Sequence, residues 1–162
     1  EPEQVNFGIL KRICSKFALS NVELVQQALG DKPGKAKMIL PIQGKTKMQG
    51  LAHIKHETIE LWNEGEEYEV AIETLDNLCL NVKVDAIKMD VENFEFFVLQ
   101  GGKNTILRDR PLIYVELWDN ENRQRCFEFI KALDYKVCVL DNKTLVPFDA
   151  SKHNQHNFTF VP

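Results

Sequence analysis

The stretch Val84-Asp85-Ala86-Ile87-Lys88-Met89-Asp90-Val91 decides the fold. Its apolar run predicts a buried strand that ends in carboxylates, and the chain after it is regularly punctuated. Residues 94–107 predict a helical region broken near Gly101-Gly102, and residues 111–118 a second buried strand. Residues 120–133 predict a helix carrying Cys126, Phe127, Ile130 and Leu133 on one side. Residues 135–140 predict a third strand, Asp141-Asn142-Lys143 a turn, residues 144–148 a strand pairing back, and residues 156–161 a last short strand. Strand, helix, strand, helix, strand is the order of right-handed β-α-β crossovers. The expectation is an α/β fold with a mostly parallel sheet and an antiparallel edge.

Upstream the pattern is weaker. Val5, Ile9, Leu10, Ile13, Cys14 and Phe17 lay one stripe along a helix over residues 5–17. Residues 22–29 are strand-like, Lys32-Pro33-Gly34-Lys35 is a turn, and residues 37–42 and 69–75 predict further strands. Residues 43–67 have little periodicity and predict a loop, and residues 76–80 a short helix.

The 162 residues suffice for one domain, residues 1–162, with a sizeable core. A hydrophobic fraction of 44% with 27% charged residues is that of a folded chain. The net charge of −4 and the lack of a long Lys/Arg run argue against a nucleic-acid partner. Lys32, Lys35, Lys37, Lys45 and Lys47 form the densest basic cluster, expected on a solvated loop or hairpin. No apolar run is long enough to cross a bilayer, so no membrane partner is expected. Cys14, Cys79, Cys126 and Cys138 form no C-x-x-C pair and fit reduced, mostly buried thiols, which points to a cytoplasmic location.

Ligands of open α/β sheets bind beyond the carboxyl ends of the strands. Those ends here carry Gln26-Gln27-Ala28, Asp90-Val91-Glu92 and Glu116-Leu117-Trp118-Asp119. Lys88 shares a strand face with Asp90. One reading is a buried ion pair of Lys88 with Asp90 or Glu116 that steadies an acidic site; the other is a lysine that reaches solvent. Asp90, Glu92 and Glu116 have three readings: oxygen ligands for a divalent metal, an acid–base set acting on a hydroxyl, or caps for the helix near Phe94. His53-x-x-His56 and His153-x-x-His156 lie in loop-like sequence without a matching second pair, so surface histidines and no metal centre are expected. Trp62 and Trp118 are expected to pack, and neither Ser nor Cys shows a nucleophile motif.

The segment IKMDVENFEFFVLQGG, residues 87–102, resembles the hallmark of FkbM-type S-adenosylmethionine-dependent methyltransferases, a strand ending I-K-x-D-V-E-G and a helix carrying E-x-x-V-L-x-G. Glu1-Pro2, Ala28-Leu29-Gly30-Asp31, Thr74-Leu75-Asp76, Tyr114-Val115-Glu116 and Asn157-Phe158 resemble further family segments, most specifically over residues 74–118. The resemblance implies a Rossmann-like three-layer sandwich and methyl transfer from S-adenosylmethionine to a hydroxyl of a sugar or secondary metabolite. It places Glu1 on the cofactor ribose, Gln27 and Ala28 near the adenine, and Asp90 with Glu92 at the reacting centre, Asp90 also touching cofactor. Either carboxylate would accept the hydroxyl proton.

Two departures follow from the resemblance. Asn93 stands where the family usually has Gly, and Asn tolerates the left-handed backbone such a turn needs. The family's first strand and Gly-rich loop are not in residues 1–162, so an N-terminally truncated fold that holds cofactor poorly by itself is expected. In a sheet ordered 3-2-1-4-5-7-6, that leaves a gap between residues 22–29 and 84–91. The gap would be filled by an upstream segment, by a homo-oligomer, or by direct pairing of those two strands. The rival to an enzyme is a degenerate methyltransferase remnant acting as an interaction or oligomerisation module. A third class is a metal-dependent enzyme using Asp90, Glu92 and Glu116.

Overall fold

Burial alternates along the strands Leu112–Glu116 and Asn157–Val161. The structure, a computed structural model, describes residues 1–57, 59 and 64–162. In chain order the elements are helix α1 (Gln4–Lys16), strands β1 (Ala28–Leu29), β2 (Gly34–Gln43), β3 (Thr46–Lys47), β4 (His53–Ile54) and β5 (Gly65–Glu73), helix α2 (Leu75–Leu78) and strand β6 (Ala86–Met89). Helices α3 (Glu95–Gly101) and α4 (Lys103–Asp109), strand β7 (Leu112–Glu116), helix α5 (Glu121–Lys131), and strands β8 (Lys136–Asp141), β9 (Thr144–Pro147) and β10 (Asn157–Val161) complete the fold. Trp62 lies outside the described residues.

The expected α/β class is present, and the mostly parallel sheet is corrected. Among the described residues the strands form two five-stranded sheets, β1-β5-β2-β3 with β4 beside β2, and β6-β7-β10-β8-β9. Only β1–β5 and β6–β7 pair in parallel. In the second sheet the reason is β10, which enters between β7 and β8 and runs antiparallel to both, so β7 and β8, joined by the crossover helix α5, are not neighbours. The expected antiparallel edge is present as β9 on β8, while the final strand β10 is internal. Residues 22–29 and 84–91 do not pair; β1 lies on β5, and β6 is an edge strand.

Strands 84–91 and 111–118 are not covered on both faces, as their apolar content suggested. Ile113 and Val115 of β7 are fully buried, whereas Leu112 and Tyr114 are exposed. Ala86 and Lys88 of β6 are exposed too. Only one face of this sheet contributes to the core, which includes Val98, Leu99, Ile106, Cys126, Ile130, Phe158 and Phe160. The α1 stripe is likewise unpacked: Val5, Ile9, Ile13 and Phe17 are exposed and only Phe7 is buried. In the other sheet β2 and β5 form a long antiparallel ladder, one exposed face of which carries the cross-strand pairs Lys35–Glu69 (2.6 Å) and Lys37–Glu67 (3.7 Å), and Lys47 of β3 pairs with Glu66 of β5 (2.8 Å). This is the solvated hairpin expected of the lysine cluster. All four cysteines are free, Cys126 and Cys138 buried and Cys14 and Cys79 partly so.

Local chemistry fixes the helices. Thr74 accepts from the Asn77 amide (3.1 Å) and starts α2. Asp76 then reaches the amides of Asn104 (3.1 Å) and Thr105 (2.7 Å), supplying from a distance the cap that Gly102 lacks at the start of α4. Asn120 caps α5, with Glu121 in its first turn and Lys131 in its last, both favourable to the helix dipole. The break at Gly101-Gly102 is where α3 gives way to α4.

Gly101 also joins the two sheets. A Cβ there would run into the carbonyl oxygen of Gly30, which follows β1. Alanine normally gains about 1 kcal/mol over glycine inside a helix. Here the collision reverses the sign: Gly101→Ala is expected to lower stability by about 2 kcal/mol, read as a lower denaturant midpoint, and an unchanged or raised midpoint would refute this close approach.

Candidate functional site

The turn after β6 gathers the carboxylates. Glu92 and Asn93 both adopt left-handed backbone, φ 51° and 71°. Asn93 is suited to that conformation; for Glu92 it is uphill and is held by its surroundings. The holder is Glu95, only 2% exposed. Its Oε1 accepts from the amides of Val91 (3.4 Å) and Asn93 (3.2 Å), and its Oε2 from Asn122 Nδ2 on α5 (2.8 Å). Asn120 Nδ2 donates to Asn93 Oδ1 (2.9 Å), a second tie from the start of α5. Among the described residues no carboxylate caps the start of α3; the turn before it is held by Glu95, which sequence reasoning did not single out, the E-x-x-V-L-x-G match being the available signal.

Electrostatics follow from this crowding. Burial, then the charges of Asp90, Glu95 and Glu116, push the Glu92 carboxyl up to about 7. Burial also raises Glu95, opposed by the hydrogen bonds it accepts. Lys88 Nζ lies 3.5 Å from Asp90 Oδ2, so the pair exists, but both side chains are exposed. It is a solvent-edge contact of the kind worth about 0–1 kcal/mol, because β6 turns that face outward.

A cleft of about 400 Å³ brings together Glu1, Gln27, Ala28, Asp90 and Glu92 from three separated parts of the chain. Leu29, Met38, Ile54 and Phe94 supply apolar wall. Glu1 is steadied by the Glu3 amide, which donates to its Oε1 (2.8 Å), and Glu3 caps α1 through the Asn6 amide (2.6 Å). Residues 43–67 are not simply loop: β3, β4 and a 3₁₀ turn over Gln49–Leu51 lie there, and Gln49, Gly50, Ala52 and His53 line the cleft. His53 is buried, contrary to the surface position expected, and its Nδ1 donates to the Leu51 carbonyl (2.9 Å). Its partner in the motif, His56, packs against Phe97 with ring centroids 4.5 Å apart. His153 accepts from the Asp149 amide (3.0 Å), and His156 is exposed. Among the described residues no group of three or more His, Cys, Asp or Glu side chains is placed to hold a metal ion. Trp118 is 45% exposed and so is not the packing residue expected. Arg123, missed in the sequence, is buried and donates to the carbonyls of Leu117 (2.9 Å) and Trp118 (3.1 Å), fixing the loop after β7. No helix among the described residues is long and apolar enough to cross a membrane.

Comparison with known proteins bears on the family and the fold. The profile of the methyltransferase FkbM domain matches residues 1–140. No curated protein matches the sequence. The crystal structure of methyltransferase FkbM from Methylobacillus flagellatus KT is similar over 99% of this chain, with a TM-score of 0.63 at 12% identity, a likeness of fold. This chain spans 35% of that protein's chain. The strand order β6-β7-β10-β8 is the 4-5-7-6 half of the sheet order the hallmark implied, and with the domain match covering residues 1–140 of 162, the chain belongs to the FkbM methyltransferase family.

Proposed function

We propose that the protein transfers a methyl group from S-adenosylmethionine to a hydroxyl oxygen of a sugar or secondary-metabolite acceptor, with Glu92 as the general base. The observation that carries this reading is the meeting of Glu1, Gln27, Ala28, Asp90 and Glu92 in one cleft. The donor set fits the cofactor: carboxylates at Glu1 and Asp90 suit ribose hydroxyls and positive charge, and Ala28, Leu29, Met38 and Phe94 suit a flat base. When bound, the cofactor supplies an activated methyl group. Glu1 and Asp90 orient it, and Gln27 with the Ala28 backbone meets the adenine. Glu92 takes the acceptor's proton at a carboxylate oxygen, and a group poised near neutrality is matched to that task. Glu95 and Asn122 keep the Glu92 turn in shape. We place the whole function in one catalytic domain that acts away from nucleic acid and membrane, in the cytoplasm.

Calorimetric titration of S-adenosylmethionine into the full-length gene product tests the reading. Binding is expected, and Asp90→Asn is expected to weaken it about tenfold, the worth of one charge-assisted hydrogen bond. Absence of binding, with Mg²⁺ or Mn²⁺ bound instead, would overturn it in favour of a metal-dependent site.

Glu92 gives a second test by linkage. Its carboxyl is raised in the folded state, so the folded protein holds the proton more tightly than the unfolded chain. The folded state is therefore favoured below the unfolded value, and stability is lost as pH rises towards about 7. Glu92→Gln is expected to match the wild type near pH 4 and to exceed it by about 1 kcal/mol at pH 8, after discounting for solvent screening. Melting curves across that range would show the gap opening; a constant gap would mean that Glu92 titrates normally.

A further inference from the structure

Three buried side-chain atoms have no hydrogen-bond partner among the described residues: Tyr68 Oη, Thr105 Oγ1 and Gln155 Oε1. Buried polar groups are nearly always paired, so an unpaired one calls for a cause. Of the three, Tyr68 stands beside the cleft. In the β2–β5 ladder it lies directly opposite Met38, and Met38 lies opposite Ile54 of β4 on its other side. Residues directly opposite in antiparallel strands point to the same face. Tyr68, Met38 and Ile54 therefore form one row across the sheet, and the last two wall the cleft. The Tyr68 side chain packs against the core, but its hydroxyl is shut off from solvent and donates to nothing.

Acceptors stand close to it. Burial first, then the charges of Glu3, Glu1 and Glu66, push the phenol up to about 12, so near neutral pH it keeps its proton and meets those carboxylates as a donor. Glu66 is already held by Lys47 (2.8 Å). Glu1 and Glu3 sit at the start of α1, and each has committed one oxygen. Glu1 Oε1 accepts from the Glu3 amide (2.8 Å), and Glu3 Oε2 accepts from the Asn6 amide (2.6 Å). A carboxylate has a second oxygen, and that of each residue accepts no hydrogen bond among the described residues. The amide link also makes the two residues one unit: what fixes Glu3 fixes Glu1, and Glu1 lines the cleft.

We propose that Tyr68 is a positioning residue for Glu1: when a ligand seats against Glu1, the phenol donates to the second oxygen of Glu3 and so steadies the amide that holds the Glu1 carboxylate. The inference rests on the reading of the cleft as the cofactor site. Tyr68 is not part of the cleft lining and acts only through Glu3 and Glu1. Donor and acceptor stand unpaired in the structure, so the bond is there to be made on binding. It adds to ligand affinity and not to the stability of the fold.

The test compares the full-length gene product with its Tyr68→Phe, Glu1→Gln and doubly substituted forms, by denaturant unfolding without ligand and by calorimetric titration of S-adenosylmethionine. Tyr68→Phe keeps the ring and its packing. Its unfolding midpoint is expected to equal or exceed that of the wild type, because an unpaired buried hydroxyl has gone. Its affinity is expected to fall about tenfold, the loss of one hydrogen bond to a charged acceptor. In the Glu1→Gln protein the same change is expected to cost less than about twofold, since Tyr68 acts through Glu1. Where Glu1→Gln binds too weakly to titrate, the midpoint and affinity of Tyr68→Phe decide alone. A lowered midpoint with unchanged affinity would make Tyr68 a packing residue and overturn the proposal, as would a tenfold loss that persists in the Glu1→Gln protein. Wild-type binding with no response to Tyr68→Phe overturns this inference alone; absence of wild-type binding overturns it together with the cofactor reading.

Discussion

The close contact between the Gly30 carbonyl and Gly101 is the constraint on which the rest of the structure depends. Two sheets that share no hydrogen-bonded edge are brought into one core there, because Gly101, having no Cβ, lets helix backbone lie directly on the carbonyl that follows β1. β1 is thereby placed opposite the end of β6. The cleft exists because those two strand ends are held apart yet fixed, with Ala28 on one bank and Asp90 on the other. Without that contact the carboxylates of the β6 turn would face only solvent.

On the β6 side, one buried carboxylate does the organising. Glu95 accepts from the backbone of the turn and from Asn122, so the turn is tied to α5. Because that carboxylate is desolvated and negative, it also adds to the field at Glu92. Glu95 thus shapes the turn and adds a smaller part to a proton affinity raised first by burial and then by Asp90. A carboxylate that merely capped a helix would have shaped the backbone without tuning its neighbour. The remaining ties, Asn120 to Asn93 and Arg123 to the loop after β7, fix the same region from the far side.

Much of the C-terminal half was legible because its signals are local. The α5 periodicity, the glycine break between α3 and α4 and the hairpin at Asp141-Asn142-Lys143 all depend on residues within a few positions of one another. What was misread depends on partners far away. An apolar run such as 84–91 does not say how many faces will be covered, and β6 proved to be an edge strand with Lys88 turned outward. The strand-like run 22–29 pairs over only Ala28–Leu29, since β5 offers it only two residues of register. Mostly parallel was the natural inference from crossovers, and it failed because β10 separates β7 from β8. Of the site, Asp90 and Glu92 could be picked from strand ends, and Glu1, Gln27 and Ala28 through the family resemblance. His53 was misplaced because it sits in sequence without period, and Glu95 was hidden because a glutamate in a first helical turn is ordinarily a solvated cap.

The position of β10 has a consequence for how the protein is made. It is the last strand in sequence order, yet it lies inside its sheet and supplies Phe158 and Phe160, both fully buried. A chain emerging from the ribosome at about 5–20 residues per second presents β6, β7, α5 and the β8–β9 hairpin first, with a strand-wide slot between β7 and β8. That slot exposes backbone donors and acceptors until residues 157–161 clear the exit tunnel. The nascent chain thus carries an open sheet until β10 arrives, and the second sheet closes only then. Its vulnerability is to anything that occupies the slot first, such as a strand from another nascent chain or a chaperone that binds extended peptide.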